Sequence, residues 1–310
     1  MATLSPRLRA NLLLLLAAFI WGFSFVAQRT GMAHLGPFAF NAVRFFLGGL
    51  VLLPLMGLFN RQRQRVGLAV VPLRDRRLLL GGAVVGLLLF GGATLQQAGI
   101  VFTTAGKAGF ITSLYVVLVP LLGLLVGHRP SAAVWVGAVL AAAGLYFLTI
   151  EGAFGMAWGD LLVLVGAFVW AIHFLVLGHF SPQTDTIKLS FLQFMVCAAL
   201  SAVAALLFET SAIADFRAAL VPILYSGILS VGLGYTLQVV ALGNARPADA
   251  AILLSLEAVF AVMAGRLLLG EQLTSRAFLG CVLMLAGILI SQLFGEGVEA
   301  QGSRGAGEQG

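Results

Sequence analysis

Two stretches decide how this chain is read: Ala18-Phe19-Ile20-Trp21-Gly22-Phe23-Ser24-Phe25 and Ala167-Phe168-Val169-Trp170-Ala171-Ile172-His173-Phe174, identical at four of eight positions. At the same offset Phe45 meets Phe194, and Arg44 meets Gln193. Further along, Thr94-Leu95-Gln96 recurs as Thr236-Leu237-Gln238 and Ser113-Leu114 as Ser255-Leu256, while Gly137 and Gly144 recur as Gly280 and Gly287. The matches keep their order with small changes of offset, which chance apolar similarity does not produce. The chain carries an internal duplication.

The duplicated unit belongs in lipid. Of 310 residues 60% are hydrophobic and 10% charged, with a mean hydropathy of +1.04, whereas soluble domains carry roughly 25% charged residues. This composition excludes soluble enzymes, nucleic-acid binders and disordered scaffolds. Breaking the chain at charged, Gly and Pro clusters gives ten apolar segments, near 11–29, 36–58, 78–102, 106–126, 132–150, 157–178, 188–208, 217–242, 247–269 and 277–294. Each is close to the ~20 residues that cross a bilayer. The expected fold is all-α, a polytopic membrane protein of ten transmembrane helices in two inverted five-helix repeats. The first repeat is 1–150, with a basic loop at 60–77, the second is 151–294, and 295–310 reads as a disordered tail.

Orientation follows from the basic residues. With the amino terminus inside, Arg7, Arg9, Arg61, Arg63, Arg65, Arg74, Arg76, Arg77, Arg129, Lys188, Arg246 and Arg304 face the cytoplasm, against Arg29, Lys107, Arg217, Arg266 and Arg276 outside. Without the six loop arginines the balance is six against five, so one loop sets the orientation. Both termini are then cytoplasmic, and the expected location is a bacterial inner membrane. The apolar run after Arg9 continues past Trp21 to Val26 without a small-residue cleavage site and reads as an uncleaved first helix. Cys197 and Cys281 both sit in apolar runs and read as small hydrophobes. Five spans per repeat is odd, so the second half enters the membrane from the opposite face. Inverted repeats of this kind build secondary transporters, with the substrate near the midplane at the repeat interface.

The span 1 octet, Asn41-x-x-Arg44-Phe45, Ser255-Leu256-Glu257-Ala258-Val259, Gly270-Glu271-Gln272-Leu273-Thr274 and the Gly280 to Gly287 segment together resemble the drug/metabolite transporter superfamily, EamA family. The resemblance covers about 11–294 and implies a ten-helix carrier of small metabolites. Its size and layout are those of YddG-type amino-acid exporters. One departure stands out: the first repeat has Gly127-His128-Arg129-Pro130 where the second has Gly270-Glu271-Gln272-Leu273. A glutamate present in one half only counts against a role for it in transport.

Polar residues inside spans face protein or a water-filled cavity. Trp21, Ser24 and Gln28, Asn41 and Arg44, Trp170 and His173, Ser190, Gln193 and Cys197, and Tyr235 and Gln238 are spaced so that each set shares a helical face. Trp21, Ser24, Asn41, Arg44, Trp170, His173, Tyr235 and Gln238, with Gln96 and Glu257, form the expected substrate-binding set, an aromatic cavity suited to a zwitterion. Arg44 is assigned to the substrate carboxylate, and Glu257 to its amino group or a coupling proton. Bland readings compete: packing of the two tryptophans, helix cross-linking by Gln96 and Gln238, a simply hydrogen-bonded His173, and ion pairing of Arg44 or Glu257. Lys107 and Asp249 begin spans 4 and 9 and are gating candidates, or else solvated helix-end charges. Ser190 and Cys197 read as packing residues, and spans 5 and 10 as scaffolding.

The expected function is export of neutral or aromatic amino acids by alternating access, with multidrug or cation efflux as the alternative and an intramembrane enzyme or channel as remote ones. No H-E-x-x-H, G-x-S-x-G or Walker A motif occurs. Span 1 lacks the acidic residue on which small multidrug pumps rely. No cofactor, metal or nucleic acid is expected. The partners are a small-molecule substrate and the bilayer, and a chain holding both halves is expected to work as a monomer.

Overall fold

In lipid the backbone has no water to bond, so each apolar run must satisfy its own N–H and C=O groups as a helix. The computed structural model describes residues 6–67, 69–124, 131–149, 156–242 and 253–294, and no strand occurs among them. In order come α1 (Pro6–Gly31), α2 (Pro37–Arg65), α3 (Arg76–Ile100), α4 (Ala105–Ser113), α5 (Tyr115–Gly123), α6 (Ala132–Thr149) and α7 (Trp158–Phe180). Then follow α8 (Thr186–Phe208), α9 (Ile213–Ala218), α10 (Leu220–Leu224), a π-helix (Tyr225–Gly234), α11 (Tyr235–Leu242), α12 (Glu257–Leu269) and α13 (Ser275–Phe294).

Among the described residues seven stretches are long and apolar enough to cross a membrane: Leu8–Gly31, Pro37–Arg65, Arg76–Ile100, Ala105–Gly123, Trp158–Phe180, Thr186–Phe208 and Leu220–Gln238. Ala132–Leu148 and Ser275–Ile290 are shorter apolar helices. α12 is the later part of the ninth expected span, whose start at 247–252 lies outside the described residues, as does the tail 295–310.

Helix ends follow local chemistry. Asp75, Thr104 and Asp185 cap α3, α4 and α8 by accepting the amides of Leu78, Lys107 and Lys188 at 2.9, 3.1 and 3.2 Å. Gly270 ends α12 with φ 66°, a left-handed conformation that glycine adopts without strain. The Leu220–Gln238 span widens into the π-helix, where the Ser230 carbonyl receives the Trp21 indole N–H at 3.0 Å and the Ile20 carbonyl receives the Tyr225 hydroxyl at 3.1 Å.

The main packing joins segments on either side of residue 150. α2 lies on α8, α3 on α7 and α8, α4 on α12, and α1 on α12, the π-helix and α11. α6 and α13 pair closely, because a Cβ at Gly144 would lie 2.6 Å from the Gly280 carbonyl oxygen. Large side chains such as Leu87, Leu206 and Phe278 point outward, a surface that lipid can cover.

Candidate functional site

Helices α1, α2, α3, α4, α5, α7, α8, α11, α12 and the π-helix surround a cavity of about 300 Å³. Nine of the ten residues expected at a binding site line it: Trp21, Ser24, Arg44, Gln96, Trp170, His173, Tyr235, Gln238 and Glu257. The exception is Asn41. It is fully buried, it does not line the cavity, and its amide atoms have no hydrogen-bond partner among the described residues. A separation of three residues leaves it about 60° and one turn away from Arg44, and its short side chain does not span that gap as the arginine does.

A hydrogen-bonded chain crosses the cavity wall. Trp170 Nε1 donates to Gln96 Oε1 at 3.0 Å, Gln96 Nε2 to Gln28 Oε1 at 3.0 Å, and Gln28 Nε2 to Ser24 Oγ at 3.2 Å. This chain ties α7 to α3 and α1. His173 Nε2 shares a 2.9 Å bond with Gln193 Oε1, and Nδ1 has no partner among the described residues. The walls are aromatic: Tyr115 stacks on Phe174 at 4.7 Å, and Tyr235 meets Trp21 edge-on at 5.3 Å and Phe194 at 5.1 Å.

The two charged groups are held separately. The Arg44 guanidinium lies 4.7 Å from the centre of the Phe45 ring, only 4% of the residue is exposed, and no carboxylate among the described residues lies within 4.0 Å of it. Glu257 accepts the Ser113 hydroxyl at 3.3 Å. The ion pair that competed in the reading of these residues is therefore not formed between described residues, and both charges face the cavity.

The cavity reaches the surface at one end. Leu177, Gly178, Ser181 and Thr186 at the α7–α8 turn line it, and Gly178 is exposed. That turn is on the face of the basic loop, because Arg63 pairs with Asp185 at 3.3 Å and Lys188 Nζ donates to Asn60 Oδ1 and the Val71 carbonyl, each at 2.7 Å. At the opposite face Arg29 donates to the carbonyls of Ile100 and Val101. Lys107 lies there, outside the lining, with Nζ 3.8 Å from Asp160 Oδ2, while Thr103 donates to Asp160 Oδ1. Asp249 falls outside the described residues. Among the described residues no group of three His, Cys, Asp or Glu is placed to hold a metal.

Other lining residues lay outside the expected binding set. Gln28, read on the Trp21–Ser24 face, lines the cavity, and so does Ser190, which was read as packing. Tyr115, Phe174 and Ser230 gave no usable signal, since aromatic and small residues are equally common against lipid and in packing.

The sequence profile described as the EamA-like transporter family matches twice, at 8–150 and 157–293. An "uncharacterized transporter" of Archaeoglobus fulgidus is 33% identical over 93% of this chain and 87% of its own length. The "uncharacterized transporter YoaV" of Bacillus subtilis is 26% identical over 88% and 92%. A solved crystal structure with 23% identity superimposes with TM-score 0.62, covering 94% of this chain and 99% of the other, a likeness of fold.

Proposed function

This chain belongs to the EamA-like transporter family, multi-pass membrane transporters of small molecules, and from that premise we propose that it exports neutral and aromatic amino acids by alternating access. The observation that carries the reading is the separate exposure of Arg44 and Glu257 to one aromatic cavity. A buried charge without a partner is costly in a membrane. A zwitterion supplies both missing partners at once, its carboxylate at Arg44 and its ammonium at Glu257, while the rings of Trp21, Trp170 and Tyr235 contact its side chain. The volume of about 300 Å³ is at the small end of ligand pockets and suits a single amino acid.

The proposed architecture is ten crossings in two inverted halves, with 61–77 in the cytoplasm of a bacterial inner membrane and one chain working as a monomer. In that orientation the cavity opens to the cytoplasm, where an exporter loads. A second reading, efflux of lipophilic cations, is favoured by Glu257 among aromatic rings; Arg44 in the same cavity repels such a cargo.

Counterflow in proteoliposomes tests the proposal, with labelled aromatic, aliphatic and small polar amino acids, with and without a pH gradient. Saturable exchange of several amino acids is expected. Folded protein that exchanges none of them but exchanges a lipophilic cation overturns the reading in favour of the second one.

A further inference from the structure

The face opposite the cavity mouth is fastened by two carboxylates, both from beyond residue 150 and both capping helices from before it. Glu209, just after α8, accepts the amides of Phe38 and Ala39 at 2.9 and 2.8 Å at the start of α2. Glu271, in the α12–α13 turn, accepts those of Ala105 and Gly106 at 2.7 and 3.0 Å at the start of α4. Each carboxylate occupies space that a glycine leaves open. A Cβ at Gly36, the residue that precedes α2 and has no side chain to cap it, would lie 2.2 Å from Glu209 Cδ. A Cβ at Gly265 would lie 2.2 Å from Glu271 Oε2. Glu271 is itself fixed in place, since it follows Gly270 at φ 66° and its amide bonds the Gly265 carbonyl at 3.2 Å.

Below Glu271 the α4–α12 seam is closed by small residues: a Cβ at Gly109 would lie 2.4 Å from Ala261 Cβ. The seam ends at the Ser113–Glu257 hydrogen bond, where the cavity begins. An opening of the cavity toward this face along the α4–α12 seam would pull Ala105 and Gly106 off Glu271.

We infer that Glu271 and Glu209 are positioning residues for transport, carboxylate clasps that hold the far face shut while the basic-loop face is open. The inference rests on the alternating-access reading, but not on the identity of the cargo. It also gives a part in transport to a glutamate whose absence from the first half counted against one. The sequence asymmetry, Glu271 in the second repeat against His128 in the first, lets a carboxylate clasp favour one of two otherwise similar states.

The test is electron–electron double resonance in liposomes without cargo, on full-length protein carrying Cys197→Ala and Cys281→Ala. One label pair, Phe102→Cys with Gln272→Cys, spans the α4–α12 seam at the far face, and both sites are exposed. A second, Leu12→Cys with His179→Cys, reports on the mouth face from two further exposed sites. Glu271→Gln weakens the clasp, and Gly265→Ala evicts the carboxylate while keeping it in the chain. With either variant the far-face pair is expected to gain a longer distance, with about a fivefold shift in the ratio of states, while the mouth pair shortens. Unchanged far-face distances in both folded variants overturn the inference. Lengthening at the far face with an unmoved mouth pair also overturns it, since that is local fraying of α4. A shift in these distances in protein that exchanges no amino acid in the counterflow assay would leave the clasp standing and remove only the proposed cargo.

Discussion

Arg44 and Glu257 can be separated by what they recognise. Arg44→Gln is expected to raise KM for an amino acid about tenfold or more while leaving transport of the corresponding decarboxylated amine nearly unchanged, because a lost charge-assisted contact costs about 1.5–3 kcal/mol. Glu257→Gln should do the reverse, harming free amino acids and sparing N-acetylated ones. Competition assays with these analogues check both, and equal losses for all three compounds would remove the zwitterion reading. Gln96 has a different part: its amide joins Trp170 on one side to Gln28 on the other. Gln96→Leu should lower stability by about 1–2 kcal/mol, seen as a lower melting temperature in detergent. These residues were legible because a polar side chain within an apolar span needs a partner. Asn41 shows where that argument stops: it too is polar and buried, but whether it faces cavity or helix depends on a rotation that spacing alone leaves open.

Helices divide into those that line the cavity and those that brace it. α6 and α13 contribute nothing to the lining and meet each other through Gly144 and Gly280. A Cβ at Gly280 would lie 2.7 Å from both the Gly144 carbonyl oxygen and the Leu148 amide nitrogen, so Gly280→Ala must push two backbones apart. Overpacking of this kind costs about 1–3 kcal/mol. The variant is expected to melt earlier yet keep the wild-type KM, which thermal denaturation and uptake kinetics measured side by side would show; a changed KM would mean that this pair shapes the cavity. A near absence of polar residues in spans 5 and 10 marked such helices in the sequence. The π-helix at Tyr225–Gly234 was not legible, because its wide turns depend on partners in α1: Trp21 and Tyr225 bond across that interface.

For the molecule as a whole, the proposed orientation rests on one loop. Arg61, Arg65, Arg74, Arg76 and Arg77 are exposed, whereas Arg63 is engaged with Asp185. Replacing those five with Gln while keeping Arg63 should leave helix packing intact but remove most of the bias, since the remaining spans are nearly balanced. Protease protection of an amino-terminal tag is expected to show mixed orientation, and wholly retained orientation would place the determinant elsewhere. By itself the sequence determined the solvent, the helical class, the duplication, the family resemblance and the polar residues that need partners. The solvent, the helical class and the polar residues follow from composition and periodicity, the duplication from matching one half with the other, and the resemblance from motifs, all of them properties read along the chain. Only the tertiary structure decided which polar residues share a cavity, which face that cavity opens to, and that Glu209 and Glu271 cap helices far away in the chain. The physical reason is that these are contacts between helices. They depend on how each helix is rotated and how closely glycine lets its neighbours approach, and an apolar face turned to lipid reads the same as one turned to another helix.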